Sequence, residues 1–317
     1  MKNYLTLFIL FSSVSFANEL AIVSGEVSRF YTTDDLSIEK KSLKIMNNRR
    51  DLFWNYENAE KKAYDIGAEA TLYSGKYIGD AFDSSAGQII LGKKWNSKNY
   101  TSFSFGGHNL NFNEKSFSTA TYELKHSHVT TNTRSRISLS KDFQFIQQQI
   151  PAPLFDGLIR DELALYWEYL FGTNWRFPVN ISQTAISDGN SAISTDFAIH
   201  YGRSYPTWWW IGYGVGSQNY SETKVGYWSP EKFTSHGPRA EIAYSLADYW
   251  QVMAGYNYSF IQEDNFDAGT STYKSLGFQY GKRDDGLISL TWIEILSEQQ
   301  SSVWNSKGYS LVFEKSF

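Results

Sequence analysis

The sequence predicts an all-β fold, a transmembrane antiparallel up-and-down β-barrel of roughly 14 to 16 strands, with 16 favoured because the number should be even. Three observations carry this. Tyr, Phe and Trp make up 17 % of the chain, yet its mean hydropathy is only −0.41. A barrel reconciles the two, because only alternate residues face lipid while aromatic rings gather at both interfaces. Period-two alternation recurs in segments of about ten residues, the length a tilted strand needs to cross a bilayer. No apolar run reaches the about 20 residues that a spanning helix requires.

Taken in order, the chain opens with a stretch that reads as a signal peptide, residues 1–17. Lys2 supplies a positive start, Leu5 to Phe11 an apolar core, and Ser15-Phe16-Ala17 a small-x-small cleavage site before Asn18. The chain has no cysteine, which excludes a disulfide framework and a lipidated first residue. The formal charge of −4, or −5 once Lys2 is removed, gives no basis for binding nucleic acid. Residues 18–317 are expected to form one barrel domain. Its first part, 18–62, is poorly defined: Glu19 to Tyr31 looks strand-like, but Thr32 to Lys62 is charged and weakly periodic, and reads as an outer loop, a periplasmic segment or a poorly patterned hairpin.

Clear strands follow. Ile66, Ala68, Ala70 and Leu72 form one apolar face, as do Leu163, Leu165, Trp167 and Tyr169. Ile193 to Tyr201, Ala240 to Leu246, Trp250 to Phe260 and Leu276 to Tyr280 repeat the pattern. Gln147 to Arg160 carries two of the six prolines, so it cannot be an interior strand throughout; it reads as a long turn or an inward-folded plug. Counting back from the C-terminus, outer loops are expected at Leu296 to Ser306, Gln262 to Ser271 and around Ser229 to Gly237. Tight inner turns are expected at Arg283 to Gly286 and Leu246 to Tyr249. Tyr309, Leu311 and Phe313 alternate toward Phe317. This ending resembles the signal read by the barrel-assembly machinery of Gram-negative outer membranes, with Lys315 departing from it. The expected location is the outer membrane, with its lipid and that machinery as partners.

Gly226-Tyr227-Trp228-Ser229-Pro230-Glu231-Lys232-Phe233, followed by Gly237-Pro238, is the most distinctive segment. It resembles the C-terminal pores of bacterial exopolysaccharide exporters, those for cellulose and poly-N-acetylglucosamine. The resemblance runs from about Tyr201 to Phe317. It implies that Tyr227, Trp228, Pro230 and Phe233 contact a polymer, since aromatic rings offer flat apolar faces to sugars. The residues themselves equally suit an interface girdle and a Ser-Pro turn. The tetratricopeptide region of those exporters is missing from this sequence, so the resemblance implies either a separate periplasmic scaffold or a reduced relative with another role. The Trp208-Trp209-Trp210 run reads as girdle.

The faces opposite the apolar ones predict a wet lumen lined by Asp65, Glu69, Glu123, Lys125, Arg134, Arg136, Glu162, Glu168, Asp196, His200, Arg239 and Glu241. Seven acids against four bases would favour neutral or cationic cargo, unless these residues pair across strands. No chemistry is expected. The His-Asp-Ser-Asn-Gly-Arg motif of barrel phospholipases is absent, and Asp196 and His200 stand about 13 Å apart along one strand. His126 and His128 share a face without further metal-ligating partners. No cofactor and no metal is expected. The sequence thus reads as a pore assisting polysaccharide export, with a plugged structural barrel or a diffusion porin as alternatives.

Overall fold

The computed structural model describes residues 22–33, 35–47, 64–145, 156–204, 207–224, 226–264, 266–282, 286–299 and 302–316. Sixteen strands run in order: β1 Ile22–Thr32, β2 Leu36–Met46, β3 Tyr64–Tyr77, β4 Asp80–Lys94, β5 Asn99–Phe112, β6 Lys115–Val129, β7 Thr133–Phe143 and β8 Ile159–Phe171. They continue as β9 Trp175–Ile186, β10 Ser191–Arg203, β11 Trp208–Tyr220, β12 Phe233–Ala247, β13 Trp250–Glu263, β14 Gly269–Lys282, β15 Gly286–Gln299 and β16 Ser302–Ser316. Each pairs antiparallel with its sequence neighbours, and β1 pairs with β16 to close the barrel. Closure leaves no edge strand, so every strand has two partners.

The side chains sort as the alternation requires. Outward residues such as Ile89, Phe105, Leu165, Ile211, Phe278 and Leu311 are exposed apolar groups. The alternate positions face the other way: Glu168, next to the exposed Trp167, and His200, next to the exposed Ile199, are buried inside. A soluble protein would bury the first set, so the exposed apolar ring marks the surface that meets lipid.

Several boundaries differ from the sequence reading, and for one physical reason. Past the lipid band both faces of a strand meet water, so alternation fades while backbone pairing continues. Leu296 to Ser306 is therefore not a loop: β15 and β16 stay paired through Leu296↔Asn305, Glu298↔Val303 and Gln299↔Ser302. The expected loop at Gln262 to Ser271 shrinks to 264–268, and that at Ser229 to Gly237 ends where β12 begins at Phe233. The turn expected at Leu246 to Tyr249 shortens to Asp248-Tyr249. Of the three readings of the charged stretch after Thr32, the hairpin is the one found over its described part: β2 pairs with both β1 and β3. In the C-terminal half the expected alternation of short inner and long outer connections is not kept either, since only two positions separate β15 from β16 at the outer end and three separate β14 from β15 at the inner end. The signal segment, residues 147–155, 283–285 and Phe317 lie outside the described residues.

Two features shape the interior. Leu36, Ile38, Phe82, Leu110, Phe112, Phe143 and Phe145 form a buried apolar cluster inside β2–β7, toward the end opposite the termini. Phe145 reaches it because β7 leaves β6: their pairing runs only from Val129↔Arg134 to Tyr122↔Lys141, and the chain then turns into the lumen. A second cluster, Ile186, Ala192, Tyr220 and Tyr227 with Leu158 and Trp228, packs at the same end over β9–β11.

Candidate functional site

The wall of the lumen is built from inward side chains of neighbouring strands, and its charges are matched. Arg134 Nη1 donates to Glu168 Oε1 at 2.8 Å, and the Tyr166 hydroxyl donates to the other oxygen at 2.8 Å. Arg176 on β9 lies between two carboxylates, with Nε 3.7 Å from Glu168 and Nη2 3.3 Å from Glu241. Arg239 donates to both oxygens of Asp196, at 2.9 and 2.5 Å. Arg160 pairs with Glu162, and Lys125 with Glu123 at 2.7 Å. Gln88 donates to Glu69 at 3.2 Å, and Lys40 reaches Glu26 at 2.7 Å.

All twelve residues expected in the lumen lie on inward faces. Two bases outside the expected set, Arg160 and Arg176, bring the count to seven acids against six bases. Arg176 had no clear signal, since Trp175-Arg176-Phe177-Pro178 alternates poorly and Pro178 removes a backbone donor. The tryptophan run splits. Trp209 points outward into an edge-on aromatic group with Tyr201 and, beyond it, Trp175, as a girdle requires. Trp208 and Trp210 point inward, where the Arg176 guanidinium lies 5.8 and 5.2 Å from their ring centres. His200 is also buried, its ring lying over Gly212 where any side chain would collide with it.

Between β7 and β12 the lumen holds a cavity of about 660 Å³. Ser138, Asn180, Ser182, Ser194, Gln218 and Ser235 line it with hydroxyl and amide groups, and Tyr166 and Phe233 add rings. Its charged groups are Arg136, Glu162 and Asp196, and both carboxylates are already paired with an arginine. Groups that both donate and accept stand among apolar lining atoms.

The Tyr227 to Phe233 segment sits at the rim over this cavity, at the end opposite the termini. Tyr227 is buried; its hydroxyl donates to Asp188 Oδ2 at 2.9 Å and accepts from Asn190 Nδ2 at 3.0 Å. Burial pushes the Tyr227 hydroxyl above its usual range, with the Asp188 carboxylate adding to the shift and the Asn190 bond opposing it. Asn190 in turn accepts from the Ser191 and Glu222 backbone and from the Ser221 hydroxyl. Ser229 is buried and accepts from the Lys224 amide at 2.7 Å. Trp228 donates to Glu263 at 3.1 Å and packs edge-on against Phe233, ring centres 5.1 Å apart. Pro230 is buried as well. The segment is a packed rim loop; Trp228 and Phe233, half-buried, keep ring surface accessible, and only Phe233 lines the cavity.

Tyr309, Leu311 and Phe313 face outward on β16 and pair across the closing seam with Arg29, Val27 and Gly25. His126 and His128 lie outward on β6 near the terminal end, bonded to Thr101 at 2.9 Å and Asn99 at 2.8 Å.

No family model and no curated protein matches the sequence. Solved structures match closely in fold. A structure described as a bacterial polysaccharide outer membrane secretin superposes with a TM-score of 0.71 at 11 % identity, covering 94 % of this chain and 99 % of its own. The CymD monoaromatic hydrocarbon channel gives 0.51 at 10 % identity, covering 94 % and 89 %. OprD of Pseudomonas aeruginosa gives 0.50 at 10 % identity, covering 94 % and 95 %. At such identities the likeness is one of fold: a closed, porin-like barrel.

Proposed function

We propose that this barrel sits in the outer membrane of a Gram-negative cell and passes an uncharged or weakly charged exopolysaccharide. The observation that carries this is the cavity between β7 and β12, lined by hydroxyls and amides with its carboxylates neutralised. Sugar hydroxyls exchange bonds readily with such a surface, and no fixed charge holds the polymer in place. Cations would find no free acid there, because Glu162 and Asp196 are each held by an arginine. The segment Tyr227 to Phe233, similar to that of exopolysaccharide exporters, stands at the exit of this cavity. The polysaccharide secretin superposes over nearly the whole chain, which adds support from an independent direction.

In this reading the exposed apolar ring contacts outer-membrane lipid, and the barrel-assembly machinery inserts the chain. A separate periplasmic tetratricopeptide protein delivers the polymer. Transport itself needs no covalent step. The test is deletion of the chain in its native cell with extracellular polysaccharide measured; unchanged secretion would sink the proposal. In planar bilayers the pure barrel should conduct, and neutral oligosaccharides added at the terminal end should block the current transiently.

A second reading has one observation in its favour. The apolar cluster around Phe82, Phe112 and Phe145 fills the β2–β7 side of the lumen. If the filling is complete, bilayers stay silent and the protein is a structural barrel.

A further inference from the structure

The β2–β7 side of the lumen holds a constellation that transport does not use. Ser84 on β4, His108 on β5 and Asp142 at the end of β7 form one hydrogen-bonded series. The Ser84 hydroxyl meets His108 Nε2, and His108 Nδ1 lies 2.6 Å from Asp142 Oδ1. Ser84 and His108 are buried, while the Asp142 side chain is about one third exposed, at 34 %. Asp142 can reach the ring only because β7 parts from β6 beyond Lys141 and carries Asp142 to Phe145 into the barrel. The imidazole is held on two sides, stacked on Tyr73 at 5.8 Å and met edge-on by Phe143 at 4.9 Å. A carboxylate at Nδ1 fixes the tautomer that leaves the Nε2 lone pair facing the serine oxygen. The Ser84 hydroxyl has a second acceptor, the Asn109 carbonyl at 2.8 Å, so its proton can rest there or pass to the ring.

Two further observations say what ligand this would take. Gln144, two residues beyond Asp142, is 0 % exposed, and neither polar atom of its side-chain amide has a hydrogen-bond partner. A buried amide without a partner is rare in native folds and points to a group that the ligand supplies. Its N–H is suited to the oxygen of a polarised carbonyl. Phe143 and Phe145, which meet the histidine ring, belong to one buried cluster with Leu36, Ile38, Phe82, Leu110 and Phe112, a lining that suits a hydrocarbon chain and gives a sugar's hydroxyls nothing to bond.

We propose that Ser84, His108 and Asp142 form a serine esterase centre for carboxylic esters with an apolar acyl group. The Ser84 oxygen bonds to the ester carbonyl carbon as its proton passes to His108 Nε2. The carbon–oxygen bond to the alcohol then breaks, and the alcohol leaves with that proton. Water adds to the acyl-serine, giving a proton to Nε2, and the carboxylic acid departs as Ser84 takes the proton back. Asp142 stays ionised throughout, and Gln144 donates to the carbonyl oxygen. Phe143 and Phe145 cover the ring in the conformation described, so the acyl chain enters by displacing Phe145. The absent phospholipase motif does not bear on this, because three separate strands supply the three groups.

The test uses the full barrel refolded in detergent, with an alkyl fluorophosphonate probe and p-nitrophenyl esters of increasing chain length. Peptide mapping should place the probe on Ser84, and ester hydrolysis should rise with chain length. Ser84→Ala should abolish the adduct and lower hydrolysis at least about 100-fold, while folding, read by heat-modifiable gel mobility, is unchanged. Phe145→Ala should speed labelling several-fold by opening the cover. No adduct on Ser84 in either the native chain or Phe145→Ala, or hydrolysis indifferent to Ser84→Ala, overturns the proposal. So does a native chain inert to the probe whose His108→Ala variant fails to fold, since the series would then be a structural latch between β4, β5 and β7.

Discussion

Tyr227 shows how much a single hydroxyl can organise. It joins the rim loop to the β9–β10 turn through Asp188 and Asn190, two groups of which Asn190 already carries four other bonds. Tyr227→Phe keeps the ring in the cluster and removes only the hydroxyl, leaving Asp188 and Asn190 short of a partner. The expected cost is about 1–3 kcal/mol, seen as a lower unfolding midpoint together with faster proteolysis of the 221–232 segment. Equal protease sensitivity in the two proteins would show that the rim is held by its aromatic packing alone. The sequence made Tyr227 conspicuous, but its partners lie 37 to 39 positions away, and no local pattern announces them. Arg176 was missed for the opposite reason: its neighbourhood looked unremarkable, yet it joins Glu168 and Glu241. Arg176→Met should cost about 3–5 kcal/mol if the lumen is dry there, and less if water or Arg134 covers Glu168. The shift in thermal midpoint on gels measures which.

At the scale of elements the closing seam is decisive. β16 lays Phe313 across β1 at Gly25, where the ring occupies the space that a side chain would need. An aromatic residue over a glycine on the adjoining strand protects the backbone and fixes the register. Gly25→Leu should therefore hinder closure while leaving each strand's own alternation untouched. The expected result is a smaller heat-modifiable fraction after refolding, with the remaining fraction of normal stability; a full yield would mean that the ladder alone sets closure. Strands were legible wherever one face met lipid and the other water, as from Trp250 to Phe260. They were illegible where both faces are polar. β2 is such a case: Lys40 points inward to Glu26, while Glu39 and Lys41 form an outward network with Arg29. The far ends of β15 and β16 are another, because above the lipid band the pattern has no reason to persist. The apolar cluster around Phe145 was illegible too, since inward apolar residues on β4 and β5 blur the period on which the reading depended.

Over the whole molecule the lumen has two unlike halves. The β2–β7 side is packed with aromatic and aliphatic groups, and the β7–β12 side is open, hydroxylated and charge-matched. A diffusion pore selects ions through unpaired charge in its narrow part. Here Arg239 grips Asp196 with two bonds beside the cavity, so the native pore should pass small cations and anions with little preference. Arg239→Ala leaves the Asp196 carboxylate alone on the wall. Gly214, over which the Arg239 guanidinium lies, ensures that no other side chain fills the place it vacates. The reversal potential in a potassium chloride gradient should then move toward the cation value, and high salt should erase the shift. Arg239→Lys should restore much of the native value, because it returns the charge though not the double bond. A conducting variant with unchanged selectivity would put the ion path elsewhere than the β7–β12 cavity, and the polymer path argued from that cavity would fall with it.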